Sequence, residues 1–342
     1  MPDDPRLRAL LAAAVPFSLP LRRRFRGIDV REGVLISGPS GWGEFAPFDD
    51  YSNAAAARWL DCAIEAAFGQ WPQPARDRVE VNAIIPAVGA DDAAVLTRAA
   101  VSGTGCRVVK VKVGDADLAA DEARVATVRD VLDTLLGRGR GAIRVDANGA
   151  WSEDAAATAL RRLQSYGLEY VEQPCRTAEE TARLRRRVDV LIAVDELVRH
   201  AEDPGTVRLR DVADLAILKA APLGGVAACL RLADALDVPV AVSGSLDSSV
   251  GLDAGIALAA ALDDLPFACG LGTGALLAAD VVDAPRLAEG GTLAAGRTAP
   301  DLPALLAARD RLTDERAAWW RVRLAAAWQA GSRERMGHLV EA

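Results

Sequence analysis

The chain has 342 residues, of which 51% are hydrophobic and 26% are charged, and its formal net charge is −8. This length accommodates one large domain and a smaller one. The acidic balance and the low aromatic content of 5% argue against nucleic-acid binding through a basic face or a stacking platform.

The N-terminus reads Met-Pro-Asp-Asp, and no run of about 18 uncharged apolar residues follows it. We therefore expect neither a secretory signal nor a membrane span, and no membrane partner. The five cysteines form no CxxC pair. This pattern is typical of reduced thiols, so we expect a cytoplasmic protein.

Residues 1–77 predict a small α+β domain. The segment from Gly33 to Glu44 indicates two short strands joined by a Gly/Pro turn. An alanine-rich helix is expected from Asn53 to Phe68, with Asn53 as its N-cap. The Trp71-Pro-Gln-Pro segment then interrupts the pattern, so we place a domain boundary soon after it.

Residues 78–284 alternate between short apolar runs and amphipathic segments, which predicts a (β/α) barrel. Helices are expected at Leu118–Leu136, Glu153–Tyr166 and Val226–Leu236. A doubly wound open sheet is the alternative, but no G-x-G-x-x-G follows a strand here. The eight predicted strands are Val79–Ile85, Val108–Val113, Ala142–Asp146, Tyr170–Glu172, Leu191–Asp195, Leu215–Lys219, Val238–Ser243 and Phe267–Leu271.

Residues 285–342 mix Ala, Leu and Arg and include three tryptophans. We expect this C-terminal segment to leave the barrel and to pack back partly on the N-terminal domain. A helix for self-association is the alternative, and the sequence does not reveal the oligomeric state. The two histidines, His200 and His338, lie outside the strand-end pattern and are expected at the surface.

Acidic residues end three successive predicted strands at regular intervals. Asp146 and Glu172 are 26 residues apart, and Asp195 follows after 23 more, which is about the length of one β/α unit. Because the carboxyl ends of parallel barrel strands meet at one mouth, we expect the three carboxylates to converge there. A carboxylate that follows a strand is, taken alone, more often a helix cap or turn residue.

Lysines flank the three acids on both sides. Lys110 and Lys112 alternate within Val-Lys-Val-Lys-Val, and Lys219 ends the strand that follows Asp195. Residues two apart share a strand face, and lysines in a buried parallel strand need paired anions. Three carboxylates would hold one Mg²⁺ that binds a substrate carboxylate and eases removal of its α-proton. A lysine near other cations loses proton affinity and can act as the base.

These motifs resemble the enolase superfamily in its muconate-lactonizing-enzyme subgroup. The resemblance rests on Lys-Val-Lys, Asp-Ala-Asn-Gly-Ala-Trp, Val-Glu-Gln-Pro, Asp-Glu and the later lysine, with Gly-Glu-Phe-Ala-Pro-Phe in the N-terminal domain. It implies a (β/α) barrel with an N-terminal α+β capping domain. It also implies Mg²⁺ ligands at Asp146, Glu172 and Asp195, a base at Lys112 with Lys110 beside it, and Lys219 opposite.

Within that subgroup the chain is most similar to the o-succinylbenzoate synthase family. The segments Ser243–Leu252 and Cys269–Gly274 carry this likeness, although Gly272 stands where many relatives have Asp. The likeness implies substrate-binding roles for Arg144, Asn148, Ser243, Ser245 and Gly270. The arginines Arg22 to Arg24 and Arg26, in an expected loop over the barrel mouth, would attract a second carboxylate or form a solvated charge run.

The implied reaction is dehydration of 2-succinyl-6-hydroxy-2,4-cyclohexadiene-1-carboxylate to 2-succinylbenzoate, a hydro-lyase step of menaquinone biosynthesis. An N-succinylamino acid racemase, or another proton-transfer enzyme on the same site, is the first alternative. A barrel that binds a ligand without catalysis is the alternative from a different class. The chain lacks the Asp-x-Asp after strand eight with which dipeptide epimerases grip an ammonium group.

Overall fold

The computed structural model describes residues 4–115 and 117–340. The N-terminal domain is a three-stranded antiparallel sheet in the order β1-β2-β3, with one helix before it and one after it. The predicted hairpin is confirmed, because Ser37 pairs with Trp42 and Gly38 with Gly41. The elements are α1 (Pro5–Ala12), β1 (Ala14–Phe25), β2 (Ile28–Gly38), β3 (Gly41–Phe45) and α2 (Asn53–Phe68).

The N-cap of α2 is Ser52, and the prediction of Asn53 was wrong by one residue. The Ser52 side chain accepts a hydrogen bond from the backbone N–H of Ala55 at 3.2 Å, and Ser52 has extended backbone angles. Asn53 is already the first helical residue. Serine and asparagine both cap helices, and here the extended backbone of Ser52 makes it the cap.

The second domain is built on a parallel sheet of seven strands in the order β11-β10-β9-β8-β7-β6-β5, each strand paired with its neighbour along the chain. A short strand, β4, precedes this sheet. The strands are β4 (Arg78–Glu80), β5 (Ala83–Ile85), β6 (Val108–Lys112), β7 (Ala142–Asp146), β8 (Leu168–Glu172), β9 (Leu191–Val194), β10 (Leu215–Leu218) and β11 (Val240–Val242).

Two of the predicted strands differ from the structure. The run Val79–Ile85 is divided into β4 and β5, and only β5 joins the parallel sheet. Phe267–Leu271 is not a regular strand. Within it, Cys269 bridges to Val81 and Gly270 bridges to Ser243, both in parallel. This segment therefore lies between the two edges of the sheet and closes the ring with single bridges.

Helices cover the outside of the sheet and continue into the C-terminal segment. They are α3 (Ala90–Ala99), α4 (Leu118–Leu136), α5 (Glu153–Leu163), α6 (Ala178–Arg185), α7 (Glu196–Arg199), α8 (Ala220–Leu223), α9 (Val226–Ala235) and α10 (Leu252–Ala261), followed by β12 (Thr292–Ala294), α11 (Leu302–Arg309), α12 (Asp314–Ala327) and α13 (Arg333–Met336). In the part of the chain that the structure describes, no helix is long and apolar enough to cross a bilayer.

The C-terminal segment contacts both domains. β12 pairs antiparallel with β4 below the barrel. Trp320, Leu324 and Trp328 of the later helices share one buried apolar cluster with Trp59 and Leu60 of α2. The N- and C-terminal parts of the chain thus form a common core that rests on the barrel.

Candidate active site

Five adjacent strands bring the predicted acids and lysines to one end of the barrel. The register of the sheet places Lys112 beside Asp146 and Asp146 beside Glu172. Asp195 and Lys219 directly follow β9 and β10. Because parallel strands share a direction, all of these residues lie at their carboxyl ends, where barrels carry their sites.

The three carboxylates are buried and each is paired with an ammonium group. The Nζ atom of Lys110 lies 2.9 Å from Oδ2 of Asp146 and 2.7 Å from Oε1 of Glu172. Lys112 donates to the same Asp146 oxygen at 2.5 Å. On the other side, Lys219 donates to Oδ2 of Asp195 at 2.6 Å.

The chain has 40 basic residues besides histidine, and only three of them are lysines. All three, Lys110, Lys112 and Lys219, are in this cluster. Arginine stays protonated throughout the accessible pH range, whereas lysine can lose its proton when its surroundings favour that. The cluster thus contains every lysine of the chain.

The electrostatics distinguish the two lysines of β6. Burial lowers the pKa of Lys110, but the Asp146 and Glu172 carboxylates outweigh it, so the net pKa is raised. Burial also lowers the pKa of Lys112, and the ammonium group of Lys110 adds to this, so the pKa stays below its ordinary value despite Asp146. Of the two lysines, Lys112 therefore loses its proton more easily.

The carboxylates respond to the same neighbours. Burial raises the pKa of Asp146 and of Asp195, but the adjacent lysines outweigh it and hold both carboxyls well below their usual range. Burial raises the pKa of Glu172 to about 7, and the charge of Asp146 acts in the same direction. Three acids so close together need cations among them.

The three carboxylates are the kind of donor that a hard divalent cation needs. Such a cation prefers carboxylate oxygens, and Asp146, Glu172 and Asp195 supply them from adjacent strands while each is at most 1% exposed. In the conformation described for residues 4–115 and 117–340, no three Asp, Glu, Cys or His side chains are arranged so that they could hold a metal ion. Lysine ammonium groups lie beside the carboxylates in this conformation. The site is therefore one that attracts positive charge, and its oxygen donors fit a hard cation.

The comparisons with known proteins agree with this geometry. Residues 92–303 match the family model for the enolase C-terminal domain-like family, and residues 16–67 match that for the enolase N-terminal domain-like family. The o-succinylbenzoate synthase of Thermobifida fusca is 49% identical, and the match covers 93% of this chain and 98% of the relative. The o-succinylbenzoate synthase of Mycolicibacterium smegmatis is also 49% identical, with 92% and 95% covered.

The chain belongs to the o-succinylbenzoate synthase family of the enolase superfamily. Membership of this superfamily implies dependence on a divalent metal ion. The predicted barrel with an N-terminal capping domain is confirmed.

Solved structures support the fold. The muconate lactonizing enzyme of Pseudomonas fluorescens, in complex with muconolactone, superposes with a TM-score of 0.71 at 20% identity, covering 90% of this chain and 97% of that one. The L-Ala-D/L-Glu epimerase of Bacillus subtilis gives a TM-score of 0.69 at 20% identity, covering 84% and 96%. At this identity the likeness concerns the fold alone.

The substrate-binding residues expected from the family likeness are placed at different depths. Asn148 is at the mouth, where its Oδ1 accepts from Lys112 at 2.6 Å and its amide donates to Glu196 at 3.2 Å. Arg144 is fully buried below the mouth. It donates to Glu169 at 2.5 Å and to Asn82 at 2.9 Å, and it stacks on the Tyr170 ring at 4.7 Å.

The other three expected residues lie around the loop after β11. Ser243 and Ser245 line the mouth together with the three lysines. Ser243 also donates to the carbonyl of Gly270 at 3.3 Å. A Cβ on Gly270 would lie 2.4 Å from the Ser243 hydroxyl, so the bare backbone at this position leaves room for that serine.

The unusual residue Gly272 also has a steric basis. A Cβ built there would lie 2.4 Å from the carbonyl oxygen of Asn82. The backbone that follows Phe267–Leu271 therefore passes too close to Asn82, the residue before β5, for a side chain to fit. In this protein the position is a packing contact, and Thr273 lines the mouth next to it.

The arginines of β1 correct one expectation. Arg22, Arg23 and Arg24 are exposed residues of a strand and not of a loop over the mouth, and Arg23 pairs with Asp92 at 2.9 Å. β1 continues to Phe25 because it pairs there with Ile28 across a tight turn. Phe25 and Arg26 do reach the mouth.

Sequence reasoning missed a second layer of residues behind the acids. Arg199 donates to Oδ1 of Asp195 at 2.9 Å and to the hydroxyl of Tyr51, in the N-terminal domain, at 2.5 Å. The Gln173 side chain accepts from the backbone N–H of Asp195 at 3.0 Å. The i,i+4 spacing of Asp195 and Arg199 was a usable signal. The predicted surface position of His200 and His338 is confirmed, since both are exposed.

Proposed function

We propose that this chain is an o-succinylbenzoate synthase that dehydrates 2-succinyl-6-hydroxy-2,4-cyclohexadiene-1-carboxylate to 2-succinylbenzoate in menaquinone biosynthesis. Curated relatives about half identical over nearly the whole chain carry that name. The observation that carries the proposal is the cluster of all three lysines of the chain around three buried carboxylates.

Lys112 is the group that moves the proton. In its neutral form it takes the proton α to the ring carboxylate, and the C–H electron pair moves into the ring. The resulting ammonium group then gives that proton to the leaving hydroxyl on the same face, so the C–O bond breaks and water departs. The product ring is aromatic, and Lys112 returns to its neutral form.

The other two lysines act by charge. Lys219 faces the substrate from the opposite side, where its ammonium group attracts the electron-rich ring. Lys110, held between Asp146 and Glu172, keeps its proton and lowers the proton affinity of Lys112. One lysine thus transfers the proton and two lysines stabilise negative charge.

We propose Mg²⁺ as the divalent ion, with Asp146, Glu172 and Asp195 as its ligands. When bound, the ion would neutralise the substrate carboxylate and the charge that develops on it. Asn148, Ser243 and Ser245 are proposed to contact the substrate at the mouth, with Arg144 and Gly270 supporting from below. The five cysteines are free and buried, which supports a reducing, cytoplasmic location.

Metal-dependent turnover tests the proposal. Purified protein with Mg²⁺ should convert the cyclohexadiene carboxylate to 2-succinylbenzoate, which is followed by its aromatic absorbance. Chelator should stop the reaction, and added Mg²⁺ should restore it. Absence of product, or full turnover in excess chelator, would contradict the proposal.

A further inference from the structure

A buried cluster of one cation and two carboxylates joins the N-terminal domain to the loop after β11. Arg31 is on β2 and Glu44 on β3, whereas Asp247 belongs to the loop. Their exposures are 2%, 8% and 6%, so all three charges are removed from water. Such a cluster is at best a weak source of stability, because the cost of desolvation offsets the attraction between the charges. The hydrogen bonds of Arg31 and Glu44 indicate a role other than stability.

Both residues of the N-terminal domain bind the backbone of the loop. Arg31 donates from Nε to the carbonyl of Leu246 at 3.0 Å, and another guanidinium nitrogen donates to the carbonyl of Ala46 in its own domain. Glu44 accepts from the backbone N–H of Ser248 at 3.1 Å. The loop is thus held at two peptide groups by two strands of the other domain.

The loop needs such support because its conformation is strained. Leu246 has a φ of 66°, in the left-handed region, which is unfavourable for a residue with a side chain. Within the loop, Asp247 accepts from the backbone N–H of Ser245 at 2.7 Å. Space for the cluster comes from Gly251, since a Cβ there would lie 2.6 Å from the Glu44 carboxyl carbon.

The held loop forms one wall of the active-site mouth. Ser243, Gly244, Ser245 and Leu246 line it together with the lysines. Movement of the Leu246 peptide would therefore move the serines that face the substrate, while the carboxylates on β7, β8 and β9 would stay in place.

We propose that Arg31, together with Glu44, is a positioning residue that fixes residues 243–248 in the conformation that binds substrate. The inference rests on the proposed function for its kinetic consequence. It assigns to the capping domain an effect on substrate affinity that is transmitted through the wall of the barrel mouth. The residues act on the substrate only through the loop.

Variants at Arg31 and Glu44 separate positioning from bulk stability. Arg31→Met should raise KM about 10-fold or more and leave kcat within about 3-fold. The displaced wall would bind the substrate less tightly, whereas the carboxylates on β7, β8 and β9 would stay in place. Arg31→Lys, which keeps the charge but not the fork of donors, should give a smaller rise. Glu44→Ala should raise KM, and Glu44→Gln should keep it, since glutamine still accepts from Ser248.

Arg76→Met is the matched control. Arg76 also donates to backbone carbonyls of the barrel, at Ala259 and Leu262, each at 2.6 Å, but it lies away from the mouth. The control should lower the unfolding temperature and leave KM unchanged. Hydrogen exchange of the unliganded proteins should show faster exchange at residues 243–248 in Arg31→Met and not in Arg76→Met.

An unchanged KM in Arg31→Met and Arg31→Lys, or an equal rise in Arg76→Met, would overturn the inference. If Arg31→Met does not fold, the comparison of Glu44→Ala with Glu44→Gln decides. If the wild type shows no dehydration, the proposed function fails, and local exchange at residues 243–248 still tests the positioning role by itself. Exchange that rises evenly over the whole chain would count against it.

Discussion

Lys112 differs from the other two lysines in its access to the mouth. Its side chain is 15% exposed, compared with 6% for Lys110 and 8% for Lys219. Its ammonium group lies 5.9 Å from the ring of Phe25, which reaches over the mouth from the capping domain. Lys112 is therefore the most accessible of the three lysines.

Replacement of Lys112 by alanine should abolish proton abstraction. The α-carbon of a substrate analogue that lacks the leaving hydroxyl should exchange its proton with deuterated solvent in the wild type and not in the variant. Lys112→Arg is the matched variant, because it keeps the cation but cannot act as a base at neutral pH. It should be inactive as well. Undiminished exchange in either protein would mean that another group is the base.

Glu172 is the carboxylate at the centre of the three acids. Glu172→Gln removes one charge from the proposed metal ligands and should eliminate most of the activity and weaken Mg²⁺ binding, with the fold retained. Isothermal titration of Mg²⁺ measures the metal affinity, and circular dichroism checks the fold. Glu153→Gln, on the outer helix α5, should match the wild type in both. Unchanged Mg²⁺ affinity in Glu172→Gln would contradict the assignment.

The positions of single residues could be predicted where a local sequence pattern indicated them. The acids and lysines follow apolar runs at the period of a β/α unit, so their convergence was readable. Arg31 and Tyr51 were missed because their partners, Leu246 and Arg199, are 215 and 148 residues away in the sequence. A contact between two domains leaves no periodic trace in a single sequence.

At the scale of elements, the N-cap of α2 provides a direct test of the corrected assignment. Ser52→Ala removes the hydrogen bond to Ala55 and should lower the free energy of unfolding by about 1 kcal/mol. Asn53→Ala, one residue later, should change it little, since Asn53 is already inside the helix. Urea unfolding of both variants measures the difference. The reverse order of effects would restore Asn53 as the cap.

The junction between β3 and the mouth loop should make stability depend on pH. Burial, with the Asp247 carboxylate acting in the same direction, raises the pKa of Glu44 from 4.5 to about 7 in spite of Arg31. Between these values the folded protein binds more protons than the unfolded chain, so this contribution to stability is complete below pH 4.5 and is lost as the pH rises through 7.

Glu44→Gln removes that dependence. Between pH 5 and pH 8 the free energy of unfolding should fall by up to roughly 3 kcal/mol more in the wild type than in the variant. Urea unfolding at the two pH values gives the difference. Parallel stability profiles for the two proteins would show that the carboxyl titrates near its ordinary pKa.

The regular elements were more predictable than the edges of the sheets. Helices and central strands have clear apolar periods, and most were found within a few residues. β1 was missed because Pro16 and Pro20 argue against a strand, yet β1 is an edge strand and tolerates them. Phe267–Leu271 has the composition of a strand, but its position between two barrel edges leaves it only single bridges.

At the scale of the whole molecule, the distribution of charge favours anionic substrates at the mouth. The net charge of the chain is −8, but four cations, Arg26 and the three lysines, line the mouth beside one carboxylate, Asp146. A substrate with two carboxylates suits these surroundings. An amino-terminal dipeptide would bring its own ammonium group beside these cations, and the chain has no Asp-x-Asp after strand eight to pair with it, which costs several kcal/mol.

The kcat/KM values of one preparation for three substrate types test the central claim most directly. We expect dehydration of the cyclohexadiene carboxylate to exceed racemisation of N-succinylamino acids, which share the succinyl arm and can persist as a side activity. Epimerisation of dipeptides should be negligible. Racemisation faster than dehydration would contradict the account and would make an N-succinylamino acid racemase the better description.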